Sequence, residues 1–153
     1  MNEDQYKNTR RTHLELLLGE QLNALITSMH ALNVKIAARF DPSLQPAAFH
    51  LVRWLYSYGP TSASVLAEAT AMDRSSVSRL VKQLEQLEYV KRESSPEDRR
   101  GIFLSLTDLG REKTKEALKE KEIAYFERIS KWNEDQLEYF IDMLKDFNGL
   151  DRS

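Results

Sequence analysis

Ser75, Ser78, Arg79 and Lys82 combine short hydroxyls and two cations at spacings that gather them on one side of a helix. They lie in the stretch Met72 to Leu87, MDRSSVSRLVKQLEQL, whose other side collects Val77, Leu80, Val81, Leu84 and Leu87. The apolar side is long enough to pack into a core. The polar side carries no carboxylate among its first members, and its hydroxyls and cations suit contact with a polyanion. A plain solvated face is the competing reading, and the surrounding elements decide between the two.

Those elements come in a recognisable order. Thr61 to Leu87 divides into two short helices around the turn Thr70-Ala71-Met72. Thr61 or Ser62 caps the first helix, with Val65, Leu66 and Ala69 facing inward, and Asp73 caps the second at its positive dipole end. This is helix-turn-helix spacing, in which the second helix lies in a DNA major groove. After Leu87 the period changes to two: Tyr89 to Glu93 and Ile102 to Leu106 flank the polar stretch Ser94 to Gly101. That pattern predicts a β-hairpin with a long tip, Ile102, Leu104 and Leu106 pointing at the helices and Arg99 and Arg100 riding on the tip. A helix-turn-helix followed by a basic hairpin is a winged helix. One helix reads base edges while wing cations reach the backbone or the electronegative minor groove.

Long helices are predicted on both sides. Met1 to Thr12 is polar and reads as a frayed end. From Leu14 the apolar residues Leu14, Leu18, Leu22, Leu25, Met29, Leu32 and Ile36 fall at spacings of three and four, close to a heptad seam. Leu16, Leu17 and Ile26 lie off that stripe, which predicts burial on more than one side. Asp41-Pro42 ends the helix. A second runs from about Gln45 to Tyr58 with Leu51, Trp54, Leu55 and Tyr58 apolar, and Gly59-Pro60 stops it. Thr107 caps a helix to about Ser130, its exposed charges alternating in sign and Leu118, Tyr125 and Ile129 forming its apolar side. Asn133 and Gln136 form a capping box for a last helix, with Trp132 and Leu137 at the staple positions. Its stripe is Leu137, Phe140, Ile141, Leu144 and Phe147. So apolar a terminal helix predicts pairing with a second chain.

Composition narrows the chemistry. The chain has 153 residues, a net charge of -2 and no cysteine, which excludes disulfides, thiolate nucleophiles and cysteine zinc sites. Thr61 to Thr107 is itself neutral, with seven basic and seven acidic residues, so DNA binding must rest on local charge arrangement. His13, His30 and His50 share no metal-ligand spacing, and neither a metal nor a cofactor is expected. There is no phosphate-binding glycine loop, nucleophile elbow or HExxH helix, so an enzyme is not expected. No apolar run approaches the ~20 residues of a membrane span and no signal pattern is seen, so a cytoplasmic location is expected.

LAEATAMDRSSVSRLVKQLEQLEYVKR, Leu66 to Arg92, and EDRRGIFLSLTDLGRE, Glu97 to Glu112, resemble the MarR (multiple antibiotic resistance regulator) family of bacterial transcription regulators. The resemblance implies a mainly α fold with a small β-hairpin wing: a winged helix-turn-helix at 45–106, flanked by helical dimerisation regions at 10–40 and 107–150. It implies a homodimer on a pseudo-palindromic double-stranded DNA operator, usually repressing and released by a small lipophilic or phenolic effector. Recognition helix 73–87 then enters the major groove and wing 94–101 the minor groove. Ser75, Ser76, Ser78, Arg79 and Lys82 match DNA-facing positions, Arg74 a phosphate contact, and Arg99 or Arg100 the minor-groove arginine held by Asp98. The serines are expected to position the helix on phosphates. His50, Arg53, Trp54 and Tyr58 are the nearest candidates for an effector pocket, with core or surface packing as the alternative. One departure is Glu88, where the family places glycine: the residue must avoid the left-handed conformation or accept its strain. The function from a different class is a winged helix that docks an acidic protein partner.

Overall fold

The computed structural model describes residues 3–94 and 101–149. The chain forms two compact units, Met1–Leu118 and Lys119–Ser153. In chain order the elements are α1 (Glu3–Phe40), α2 (Pro46–Tyr58), α3 (Ala63–Ala69), α4 (Arg74–Gln86), β1 (Val90–Ser94), β2 (Ile102–Leu106), α5 (Asp108–Ile129) and α6 (Glu134–Asn148). The mainly α fold with a two-stranded hairpin is therefore as the sequence indicates.

In the first unit, α1 is longer than its apolar stripe. Residues 3–12, expected to fray, are helical because local pairs support them: Lys7 with Glu3 at 3.2 Å, Arg11 with Glu15 at 2.7 Å, and Thr9 Oγ1 donating to the Gln5 carbonyl. Only the last third of α1 is covered, at Leu32, Ile36, Ala37 and Phe40. Leu14, Leu16, Leu17, Leu18, Leu25 and Ile26 remain exposed.

The core of this unit gathers Phe40 with Phe49, Leu51, Val52 and Leu55 of α2, Leu66 of α3, Val77, Leu80, Val81 and Leu84 of α4, and Leu104 of β2. Burying side chains of this size stabilises by roughly 1.5–3 kcal/mol each. Expected core positions on α2, α3 and α4 lie outside it. Tyr58 is 72% exposed, at the last turn of α2 beyond its buried face. In α3 the buried pair is Leu66 and Ala67, while Val65 and Ala69 are exposed, because a seven-residue helix presents only one turn to the core. Leu87 caps α4 instead of continuing its stripe, and it is exposed.

The hairpin pairs antiparallel in the register Val90 with Leu106, Arg92 with Leu104 and Ser94 with Ile102. Its second strand has another neighbour that the sequence pattern did not announce. Thr61 N donates to the Leu104 carbonyl at 3.1 Å and Leu104 N to the Thr61 carbonyl at 2.7 Å, tying the α2–α3 linker to β2. Leu104 is 1% exposed there, whereas Ile102, one alternation further along the wing, is 54% exposed. Ile102 lies beside Ser62, Ala63 and Ser64 along an open depression that leaves it uncovered.

At the start of α5, Thr107 Oγ1 accepts from Gly110 N at 3.0 Å and donates to the Glu88 carbonyl at 2.5 Å. Gly110 packs so closely on the residue before β1 that an added Cβ would sit 2.1 Å from the Tyr89 carbonyl oxygen. In the second unit, Asn133 and Gln136 make both bonds of the capping box, at 2.9 and 3.0 Å. Trp132 meets Phe140 edge-on with ring centroids 5.3 Å apart. No residue of α6 is buried.

Candidate nucleic-acid interface

The helix pair is held by its turn and its caps. Ser62 Oγ accepts from Val65 N at 3.3 Å at the start of α3. Ala71 takes φ 54°, and Met72 N donates to the Ala67 carbonyl at 3.0 Å, closing the α3 end in a left-handed turn. Asp73 then caps α4, one oxygen accepting from Ser76 N at 2.9 Å. With the cap fixed and Val77, Leu80, Val81 and Leu84 locked in the core, the rotation of α4 about its axis is determined. Ser75, Ser78, Arg79 and Lys82 face outward and are exposed, and Ser76 is half-buried. Among the described residues no hydrogen bond or ion pair engages the side chains of Ser78, Arg79 or Lys82. Their polar atoms are therefore available to a partner.

Arg74 is placed differently from the other cations. Its Nη2 donates to Ser64 Oγ at 2.7 Å, bracing α4 against α3. A guanidinium has five N–H donors, so this bond leaves others for an anion. Ser64 carried no signal in the sequence, because the pair lies ten residues apart across a turn.

Two further braces tie the wing to its surroundings. Arg92 on β1 meets Glu85 on α4 at 2.7 Å, linking the wing strand to that helix. Both groups are partly exposed, so the pair orients more than it stabilises. Tyr89 donates its hydroxyl to Asp41 at 2.7 Å and packs at a tilt against Phe40 with centroids 4.9 Å apart, joining the start of the wing to the end of α1. Burial, then the bond to Asp41 and its charge, push the Tyr89 phenol up to about 12. Burial also works to raise Asp41, but hydrogen bonds from Ser43 and Tyr89 outweigh it and leave that carboxyl below its ordinary value. Neither brace was legible in the sequence, since each joins residues whose proximity depends on folding.

Glu88 accepts the strain that its position imposes. Its φ is 62°, and Tyr89 N reaches back to the Leu84 carbonyl at 2.9 Å, the geometry that usually selects glycine after a helix. Asp98, Arg99 and Arg100 lie outside the described residues.

His50, Arg53 and Trp54 of α2, with Ala69 and Thr70, line a shallow depression of about 310 Å³. Tyr58 packs at a tilt against Trp54 with centroids 4.9 Å apart but does not line the depression. Among the described residues no group of three histidine or carboxylate side chains is arranged to hold a metal ion. No described helix is long and apolar enough to cross a membrane.

Comparison with known proteins agrees with this geometry. The sequence profile of the MarR family matches residues 43–101. The chain is 30% identical over 122 residues to the uncharacterized HTH-type transcriptional regulator YdgJ of Bacillus subtilis, covering 78% of this chain and 74% of YdgJ. In fold it is similar to a MarR family protein of Bacillus stearothermophilus, with a TM-score of 0.79 at 18% identity over 100% of this chain and 99% of that one. It is also similar in fold to BpsR of Bordetella bronchiseptica, with a TM-score of 0.58 at 22% identity over 84% of this chain and 98% of that one; the BpsR structure concerns regulation of its DNA binding by 6-hydroxynicotinic acid. A capped helix-turn-helix with an unpaired basic face, a hairpin wing, and kinship to YdgJ over most of both chains place this protein in the MarR family, as a DNA-binding transcription regulator and not an enzyme.

Proposed function

We propose that the protein is a cytoplasmic homodimeric repressor that binds a pseudo-palindromic operator and is released by a small lipophilic or phenolic effector. The observation that carries the reading is the outward face of α4. Ser78, Arg79 and Lys82 stand exposed and unpaired among the described residues on a helix whose opposite face is anchored in the core. In this reading α4 lies in the major groove. Arg79 makes a bidentate contact with guanine O6 and N7, Lys82 and the spare donors of Arg74 meet phosphates, and the wing, 94–101, reaches the minor groove through Arg99 or Arg100 with Asp98 in support.

A second copy of the chain is the partner that the bare apolar faces of α1 and α6 suit. It brings two recognition helices to successive major grooves if they stand about 34–36 Å apart. An effector that prefers a differently spaced dimer shifts the population away from the operator-competent form. The depression beside His50, Arg53 and Trp54 supports an effector site, with Tyr58 packed behind Trp54; regulation of BpsR by an aromatic acid is the parallel among proteins of this fold.

Selection of bound duplexes from a random pool at near-physiological salt tests the proposal. The expected result is a palindromic motif with half-site centres about ten base pairs apart. Arg79→Ala is expected to cost about 1–3 kcal/mol at one base pair per half-site. Weak binding that is equal for all duplexes and insensitive to salt would favour docking to an acidic protein instead.

A further inference from the structure

The first turn of α4 fixes the hydrogen-bond polarity of its serines. A serine hydroxyl has one hydrogen to donate and two lone pairs. Ser75 Oγ lies 2.6 Å from Asp73 Oδ2, and Ser76 Oγ lies 2.7 Å from Asp73 Oδ1. An ionised carboxylate has no hydrogen, so the shared one in each bond is the serine's. Both bonds have the short length of charge-assisted contacts. The bond from Ser75, and after it those from Ser76, hold the Asp73 carboxyl well below the usual carboxylate range, so it stays ionised at neutral pH.

We infer that Ser75 and Ser76 meet DNA only as hydrogen-bond acceptors, with Asp73 setting that polarity, and that their target is the exocyclic amino group of an adenine or cytosine. Phosphate oxygens are acceptors and have no hydrogen to share with a serine whose own is committed, and the Asp73 charge beside them adds repulsion. In the major groove the donors are adenine N6 and cytosine N4. Ser75 is exposed and the better placed of the two; Ser76 is half-buried. Ser78, one turn further along and unengaged among the described residues, keeps its hydrogen and remains able to serve a phosphate. Position on the helix face alone gives all three serines the same role; the carboxylate separates them.

This inference rests on the proposed DNA interface, and its test is built to fail separately. Once selection yields an operator, Ser75→Ala and Ser76→Ala are measured on synthetic half-sites in which single bases lack one group. Purine in place of adenine, or 2-pyrimidinone in place of cytosine, removes the amino group; 7-deazapurines remove the N7 acceptor. Wild-type affinity is expected to fall about 2- to 10-fold when the amino group is removed at one position. The Ser75→Ala variant should show no such fall there, and its salt slope should match the wild type. Asp73→Asn keeps the helix cap, and with it the acceptor of the Ser75 hydroxyl, through an amide oxygen in the Oδ2 place, and turns an N–H donor toward Ser76 in the Oδ1 place. It is expected to leave the Ser75-dependent sensitivity on the amino-deleted duplexes and to move any Ser76-dependent sensitivity to the 7-deaza duplexes. Coupling of Ser75 and Ser76 to N7 in the wild type, a uniform loss with a flatter salt slope in both alanine variants, or no coupling at any position would each overturn the inference. Wild-type protein that enriches no motif would overturn the DNA interface itself, and the presence or absence of that motif tells the two failures apart.

Discussion

The apolar stripe of α4 and that of α6 are equally regular in the sequence, yet their surroundings are opposite. Leu84 is 0% exposed and Val77, Leu80 and Val81 are sealed with it, whereas Phe147 is 67% exposed and no residue of α6 is buried. The first two-thirds of α1 resembles α6, with Leu16 and Ile26 both open. Periodicity states that a face requires cover; it does not state whether the cover comes from the same chain. In the winged helix the cover is internal, and in α1 and α6 the proposed second copy supplies it.

Mutations at the two stripes test that contrast most strongly. Leu80→Ala is expected to destabilise by about 2–5 kcal/mol, read by urea unfolding, because it opens a cavity in a closed core. Phe147→Ala should change stability within roughly 0.5 kcal/mol at low protein concentration. It should also weaken the rise of Tm with concentration that a dimer produces. Equal losses for both at every concentration would show that the chain itself covers α6. Next in size is Gly110→Ala. Its Cβ has no room against the Tyr89 carbonyl, and backbone on both sides must shift, so a loss of about 1–3 kcal/mol is expected, with little change in the helicity of the second unit.

Two smaller effects sharpen the comparison within the winged helix. Tyr89→Phe keeps the ring and removes the bond to Asp41, costing about 1 kcal/mol at neutral pH. The sign of its pH dependence follows from the raised pKa. The neutral phenol is favoured in the fold, so its contribution is complete below pH 10 and is lost as pH rises through about 12. The difference in phenolate absorbance between the wild type and Tyr89→Phe should therefore rise near pH 12, and a midpoint near 10 would contradict the packing of this group. Glu88→Gly is expected to stabilise by about 1 kcal/mol, since it relieves a left-handed residue with φ 62°, and thermal unfolding measures it. A loss instead would mean that the Glu88 side chain makes a stabilising contact that outweighs the strain.

Much of the fold was legible because its signals are local. Ser62, Asp73, Thr107 and Asn133 all cap the helices that follow them, and the change of period after Leu87 marks the hairpin. The outward set Ser75, Ser78, Arg79 and Lys82 was equally legible, since a helix fixed by Asp73 and Val77 leaves those positions no other direction. The bracing of that surface was not. Arg74 with Ser64, Arg92 with Glu85 and Tyr89 with Asp41 join residues brought together only when separate elements dock.

By itself the sequence determined where the strands and the helices after α1 begin, which faces are apolar, and which side of α4 is basic, because capping and periodicity act over a few residues of one chain segment. Tertiary structure decided the rest: that Leu104 is buried while Ile102 projects from the wing, that Glu88 must adopt a glycine conformation, and that Gly110 lies against the Tyr89 carbonyl. Each of those outcomes depends on where a distant element ends, and a local pattern carries no measure of that distance.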